Sequence, residues 1–166
     1  MAVRAVLGQQ LTFIDPKSVI TRLVRTFGRP LRTSQPGLTH LFPRAEVLAE
    51  ANLSSMGIPP ARADTLRALA RAAADGNPGG YAYKSLEELI SRLCVIRGLE
   101  TRQAHYIAQR AFGEPDAFPS ADRGLRQVPL TGQAKLSESE FLSIADRWRP
   151  WRAYAAMHLW ASATIR

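Results

Sequence analysis

Two stretches of this sequence carry residue types that can do chemistry. The first is Asp122, which closes the run Phe118-Pro119-Ser120-Ala121-Asp122. With Ser120 as the cap of a short helix, Asp122 falls in the first turn, at the positive end of the helix dipole. A carboxylate there is favoured as an anion, and a fixed anion can stabilise a developing cation or orient and activate a water. Aspartate is equally an ordinary helix-starting residue, so spacing alone leaves both readings open. The second stretch is the turn Ile96-Arg97-Gly98-Leu99-Glu100 between two helical segments. A turn this short needs a residue at ease with positive φ, which Gly98 supplies. Its exposed N–H groups, with Arg97 and Arg102 beside them, suit a phosphate oxygen; an ordinary helix corner with solvated arginines reads the same way.

The remaining candidates carry less. His40, His105 and His158 are far apart with no ligand spacing, so no metal site is expected. Cys94 is the single cysteine, which excludes a disulfide framework and a cysteine-held iron–sulfur cluster. Lying beside Leu93 and Val95, it is expected to fill core space and not to act as a nucleophile.

The elements that must position these residues are helical almost throughout. Apolar spacing predicts helices over 1–11 (Val3, Val6, Leu7) and 16–27 (Val19, Ile20, Leu23, Val24, Phe27). Asp15-Pro16 forms a start signal for the second, and Gly28 with Pro30 a stop. After a loop over 29–42 come a short helix at 44–52 and an alanine-rich one at 60–75. Ser85…Glu88 reads as a capping box for a helix reaching about Val95, and the next runs from Thr101 to Phe112. Residues 113–119 are loop, with a short helix beginning near Ser120. A second capping box, Ser137…Glu140, opens 138–147, and Pro150 opens the last helix, which carries Tyr154, Met157, Leu159 and Trp160. No strand pattern or internal repeat competes, and the chain reads as all-α.

At 166 residues and 46% apolar composition there is material for one domain or two small lobes. The net charge of +8, spread along the chain, favours a polyanionic partner such as nucleic acid. No apolar run approaches the ~18–20 residues of a bilayer crossing, and Met1-Ala2-Val3-Arg4 begins no secretory signal. A cytoplasmic, nucleoid-associated protein without a membrane partner is expected.

Together these segments resemble the helix-hairpin-helix DNA glycosylases, specifically the DNA-3-methyladenine glycosylase II type. Ala2-Val3-Arg4-Ala5-Val6-Leu7-Gly8-Gln9-Gln10 is similar to the family's opening helix and Gly-Gln turn. Leu93 to Phe112 occupies the hairpin, and Asp116 to Asp122 resembles the loop ending in the catalytic aspartate. The most specific match runs from Arg147-Trp148-Arg149-Pro150-Trp151-Arg152 to Trp160. The resemblance implies two helical lobes with a cleft between them: a hairpin lobe of about 12–112, and a second lobe of about 1–11 plus 113–166.

It further implies a cofactor-free, monomeric enzyme acting on double-stranded DNA that contains a damaged base. The base would be flipped out and removed by hydrolysis, with Asp122 supporting the oxocarbenium-like sugar. Trp160 and Tyr106 match aromatic base-pocket positions, although core packing would account for them too. Gln10 matches the residue that fills the gap in the stack, or is a plain polar turn residue. Arg97, Gly98, Leu99, Glu100 and Thr101 match the DNA-contacting hairpin. Arg102 stands where bifunctional relatives have a Schiff-base lysine, so no lyase step is expected. The chain also departs from the pattern: Glu100 replaces a hairpin glycine, Arg102 a frequent pocket tryptophan, and Arg123 a frequent aromatic. The family pattern also has an upstream β-rich lobe, whereas this sequence starts at the first hairpin-lobe helix; the resemblance leaves open a lobe supplied elsewhere or by a partner, or a shortened or decayed member. These departures keep a second reading open, that of a DNA- or lesion-binding module that does not cut.

Overall fold

The computed structural model describes residues 1–8, 16–32, 35–76, 83–126 and 136–164, and Gln10 and Asp15 lie outside them. Among the described residues there is no strand, only an isolated bridge between Pro30 and His40. The helices are α1 (Ala2–Leu7), α2 (Pro16–Phe27), α3 (Ala45–Ala49), α4 (Pro60–Ala74), α5 (Leu86–Cys94), α6 (Thr101–Ile107), α7 (Arg123–Arg126), α8 (Glu138–Ala145) and α9 (Arg152–Thr164). The all-α expectation holds. The chain forms two compact units, Met1–Ala82 with Arg92–Leu99, and Tyr83–Ser91 with Glu100–Arg166. These are not the boundaries expected from the sequence. Residues 1–7 belong with the first unit because Ala5, Val6 and Leu7 bury against α2 and α4, and the hairpin is divided between Leu99 and Glu100.

In the first unit the amphipathic stripes do what their spacing predicts. Val19 and Leu23 of α2 and Leu66 and Leu69 of α4 are buried, and Pro60 takes the first turn of α4, where its missing N–H costs nothing. Cys94 is exposed, against the expectation of core filler. Leu89 and Leu93, four apart, form the buried stripe of α5, and the residue after Leu93 is rotated out to solvent.

Gly98 follows Ile96 and Arg97 in a turn closed by the Leu99 N–H donating to Ile96 O at 3.0 Å. Its φ is +81°, and a Cβ built there would run into Oγ1 of Thr65 on α4. Gly98→Ala is therefore expected to destabilise by two separable routes. The left-handed backbone costs about 1–2 kcal/mol for a residue with a Cβ, and crowding of Thr65 adds about 1–3 kcal/mol more. Adding Thr65→Ala should recover the second part and leave the first. Equal stability of Gly98→Ala and wild type in urea titrations would contradict this.

The second unit is built round Phe118, Leu125, Phe141, Ala156 and Leu159. The Phe118 and Phe141 rings lie 5.1 Å apart, and Trp148 meets both edge-on. The Ser137 box forms as expected: Glu140 N–H donates to Ser137 Oγ, and Ser137 N–H to Glu140 Oε2. In the Ser85 box Glu88 N–H donates to Ser85 Oγ at 3.3 Å, and Glu88 Oε2 also accepts the N–H of Lys84 at 2.7 Å. The segment after Thr101 is α-helical to Ile107 and a π-turn from Ala108 to Phe112, closed by Gly113. The last helix begins at Arg152, one turn residue after the cis Arg149–Pro150 peptide.

Candidate functional site

The second unit gathers three of the residues singled out by sequence. Asp122 is not inside the first turn of a helix capped by Ser120; α7 begins at Arg123 and Asp122 is itself the cap. Its Oδ1 accepts the N–H of Leu125 at 3.0 Å, satisfying one orphan donor of α7. Ser120 lies in the preceding turn and donates its hydroxyl to Glu138 Oε1 at 2.7 Å. The capping geometry is what an ordinary helix starter would show, but it does not exhaust the carboxylate. The same Oδ1 receives the indole Nε1–H of Trp160 at 3.3 Å, from α9, thirty-eight residues away. Among the described residues Oδ2 takes no hydrogen bond. Gly124 leaves room for this arrangement, since a Cβ there would stand 3.1 Å from Oδ1.

Trp160 also packs edge-on against Tyr106 of α6, with ring centroids 6.0 Å apart. Both aromatics are half-buried. An anionic oxygen beside an aromatic ring that itself packs on a second can bind or stabilise positive charge.

Arg102 goes elsewhere. With Ile90, His105, Ser120, Ala121 and Arg149 it lines a cavity of about 510 Å³, whose walls do not include Asp122, Tyr106 or Trp160. The Arg123 side chain and Gln10 lie outside what the structure describes. Of the hairpin residues, Arg97 is exposed and Leu99 buried in the first unit. In the second unit Glu100 is exposed and caps α6, its N–H donating to Gln103 Oε1 at 2.9 Å.

Sequence reasoning missed a clamp on Asp116, at the start of the loop that leads to Asp122. Asp116 accepts two parallel bonds from Arg152, Nε to Oδ1 and Nη2 to Oδ2, both at 2.7 Å, and a third from Arg149 at 2.6 Å. Asp146 touches both arginines. The Arg152 side chain is 7% exposed and the Arg149 side chain 50%. Beside this pair the Ala153 N–H donates to Pro115 O at 2.9 Å, and buried Gln109 donates to Ala153 O at 2.8 Å. His105 accepts the Phe118 N–H, and burial together with the nearby Arg152 charge lowers its pKa. The available signal was a basic-aromatic run, Arg147 to Arg152, and an acid at 116; nothing in their spacing says that they meet.

No protein-family model matches this chain. It is 37% identical over 97% of its length to the probable bifunctional transcriptional activator/DNA repair enzyme AlkA of Mycobacterium tuberculosis, of which it spans 32%. It is 29% identical over 95% of its length to DNA-3-methyladenine glycosylase 2 of Escherichia coli, of which it spans 55%. The chain thus spans between a third and about half of these relatives. Among solved structures it is similar to the Schizosaccharomyces pombe 3-methyladenine DNA glycosylase in complex with abasic DNA, with a TM-score of 0.76 at 23% identity, covering 98% of this chain and 79% of that one. It is also similar to the 3-methyladenine DNA glycosylase of Archaeoglobus fulgidus, with a TM-score of 0.79 at 20% identity, covering 98% of this chain and 57% of that one.

Proposed function

From a chain that has the fold of the helix-hairpin-helix DNA glycosylases, we propose a monofunctional DNA glycosylase that hydrolyses the N-glycosidic bond of alkylated or otherwise damaged bases. The observation that carries the reading is the Asp122 carboxylate, held at once by the start of α7 and by the Trp160 indole, with Tyr106 edge-on to that indole. In this reading the damaged nucleotide is turned out of the duplex, which costs least for a weakened pair. The bond from C1′ to the base nitrogen breaks, its electron pair leaving with the base. Positive charge then grows on the sugar, and the Asp122 anion stabilises it electrostatically. A water oxygen bonds to C1′ and gives up a proton, to solvent where the departing base was cationic and to the base itself where it was uncharged, leaving an abasic site. Arg102 in place of a lysine supplies no amine for a Schiff base, so the strand is not cut.

Duplex DNA is the partner, held by basic surface and hairpin backbone; the segment 97–101 is assigned this role by resemblance. Purified protein is expected to leave alkali-labile abasic sites in methylated duplex DNA, with duplex affinity falling steeply between low and moderate salt. Failure to release any base from methylated or deaminated duplexes would overturn the enzymatic reading. The second reading, a lesion-binding module, is favoured by exposed Glu100, whose charge repels a phosphate at the hairpin. It predicts the same salt-sensitive binding with no base released.

A further inference from the structure

The turn that ends at Asp122 is held from behind by a side chain the reaction leaves unused. His105 of α6 is largely buried, and its Nδ1 accepts the backbone N–H of Phe118 at 3.2 Å. Phe118 is 1% exposed, so that N–H has no solvent to turn to. An imidazole nitrogen accepts only when it carries no proton, which makes His105 neutral with its proton on Nε2. From Phe118 the bonding continues toward the carboxylate. Ser120 N–H donates to Phe118 O and Asp122 N–H to Pro119 O, each at 2.9 Å. These bonds shape the turn that delivers Asp122 Oδ1 to Trp160.

We propose that His105 is a positioning residue for Asp122: its unprotonated imidazole anchors the 118–122 turn, and protonation at acid pH releases that anchor and disturbs the Asp122–Trp160 contact. The proposal rests on Asp122 being the catalytic carboxylate. The charges around the ring come from every neighbouring element. Arg152 of α9 opposes protonation, while Asp116 of the loop and Glu87 of α5 favour it. Arg102, Glu138 and Arg149 line the cavity that His105 also lines. Burial and Arg152 outweigh the acids, so the group titrates below its ordinary value. With the folded pKa depressed, the cost to the native state is absent well above about pH 6.5 and grows as pH falls through that value.

Asparagine is the discriminating substitution, because its Oδ1 takes the place of Nδ1 and accepts without titrating. Base release by the wild type should fall on acidification through kcat with KM little changed, by ~10-fold one pH unit below the midpoint. His105→Asn should keep near-neutral activity and lose that limb. An activity-free arm follows the Trp160 indole N–H by NMR, assigned with Trp160→Phe. It should shift with the His105 titration in the wild type and stay still in His105→Asn. A proton on Nδ1 at neutral pH, or a Trp160 signal indifferent to that titration, overturns the proposal. A coupled Trp160 signal in a protein that releases no base keeps the His105-to-Asp122 linkage and sinks the glycosylase reading instead.

Discussion

Asp122→Asn should lower base release by at least ~10²-fold, the scale on which single electrostatic groups act in a transition state, while leaving the melting temperature where it was. The substitution is clean because of how the carboxylate is held. Both structural bonds, from Leu125 N–H and Trp160 Nε1–H, go to Oδ1, and an asparagine Oδ1 accepts both in the same geometry, as weaker neutral bonds. Asparagine also ranks with aspartate as a helix cap, so α7 keeps its start. The amide nitrogen falls at the position of Oδ2, which among the described residues has no hydrogen-bond donor to lose. What disappears is one negative charge. Asp122→Ala, by contrast, should cost about 1 kcal/mol of stability through the lost cap as well as the activity. Duplex binding at fixed salt should change little in either variant, because phosphate contacts dominate it. Equal base release by Asp122→Asn and wild type, from the same alkylated duplex, would remove the carboxylate from the mechanism. Loss of melting temperature in Asp122→Asn would mean instead that the charge matters to the fold.

How far this site could be read from sequence follows from the range of the interactions that make it. Local signals transferred well. The Ser137…Glu140 box, Pro60 at a helix start and Gly98 at a positive-φ turn each depend on residues within four positions, and each is found in place. Asp122 was visible as an acid at a helix start. The cap lies two residues beyond Ser120, the better-known capping type, whose hydroxyl is drawn off by Glu138 eighteen residues away. Cys94 shows the same limit on a smaller scale. Its neighbours are apolar, yet the helical rotation after Leu93 carries it out to solvent, and only the packing of α5 decides that. The partition into units also escaped, because α1 chooses its neighbours through buried faces and not through its position in the chain. The Asp116 clamp lay furthest out of reach. A carboxylate and two guanidinium groups thirty-three and thirty-six residues apart look like solvated surface charge until the fold brings them together.

That clamp carries the largest expected effect on stability. Arg152→Ala should destabilise the second unit by about 3 kcal/mol, because it takes the bidentate fork from the Asp116 carboxylate, 17% exposed, and leaves it only the half-exposed Arg149. Arg149→Ala removes a bond of similar length from the same acid, but its side chain is half exposed and water replaces it. A cost of about 0.2–1 kcal/mol is expected there. The contrast between two arginines on one carboxylate reads the joint effect of burial and the two-bonded fork. Arg152→Lys should not rescue, since an ammonium cannot reproduce the two parallel bonds from Nε and Nη2. Removing both charges in Asp116→Ala/Arg152→Met should cost less than the two single changes added together, as no buried ion is then left alone. All three tryptophans, Trp148, Trp151 and Trp160, lie in the second unit, so urea unfolding followed by their fluorescence reads that unit directly. The loop from Asp116 to Asp122 passes from this clamp to the carboxylate, so base release by Arg152→Ala should fall even where the folded fraction is complete. A variant as stable and as active as Arg149→Ala would mean that the buried fork neither holds the unit together nor sets Asp122.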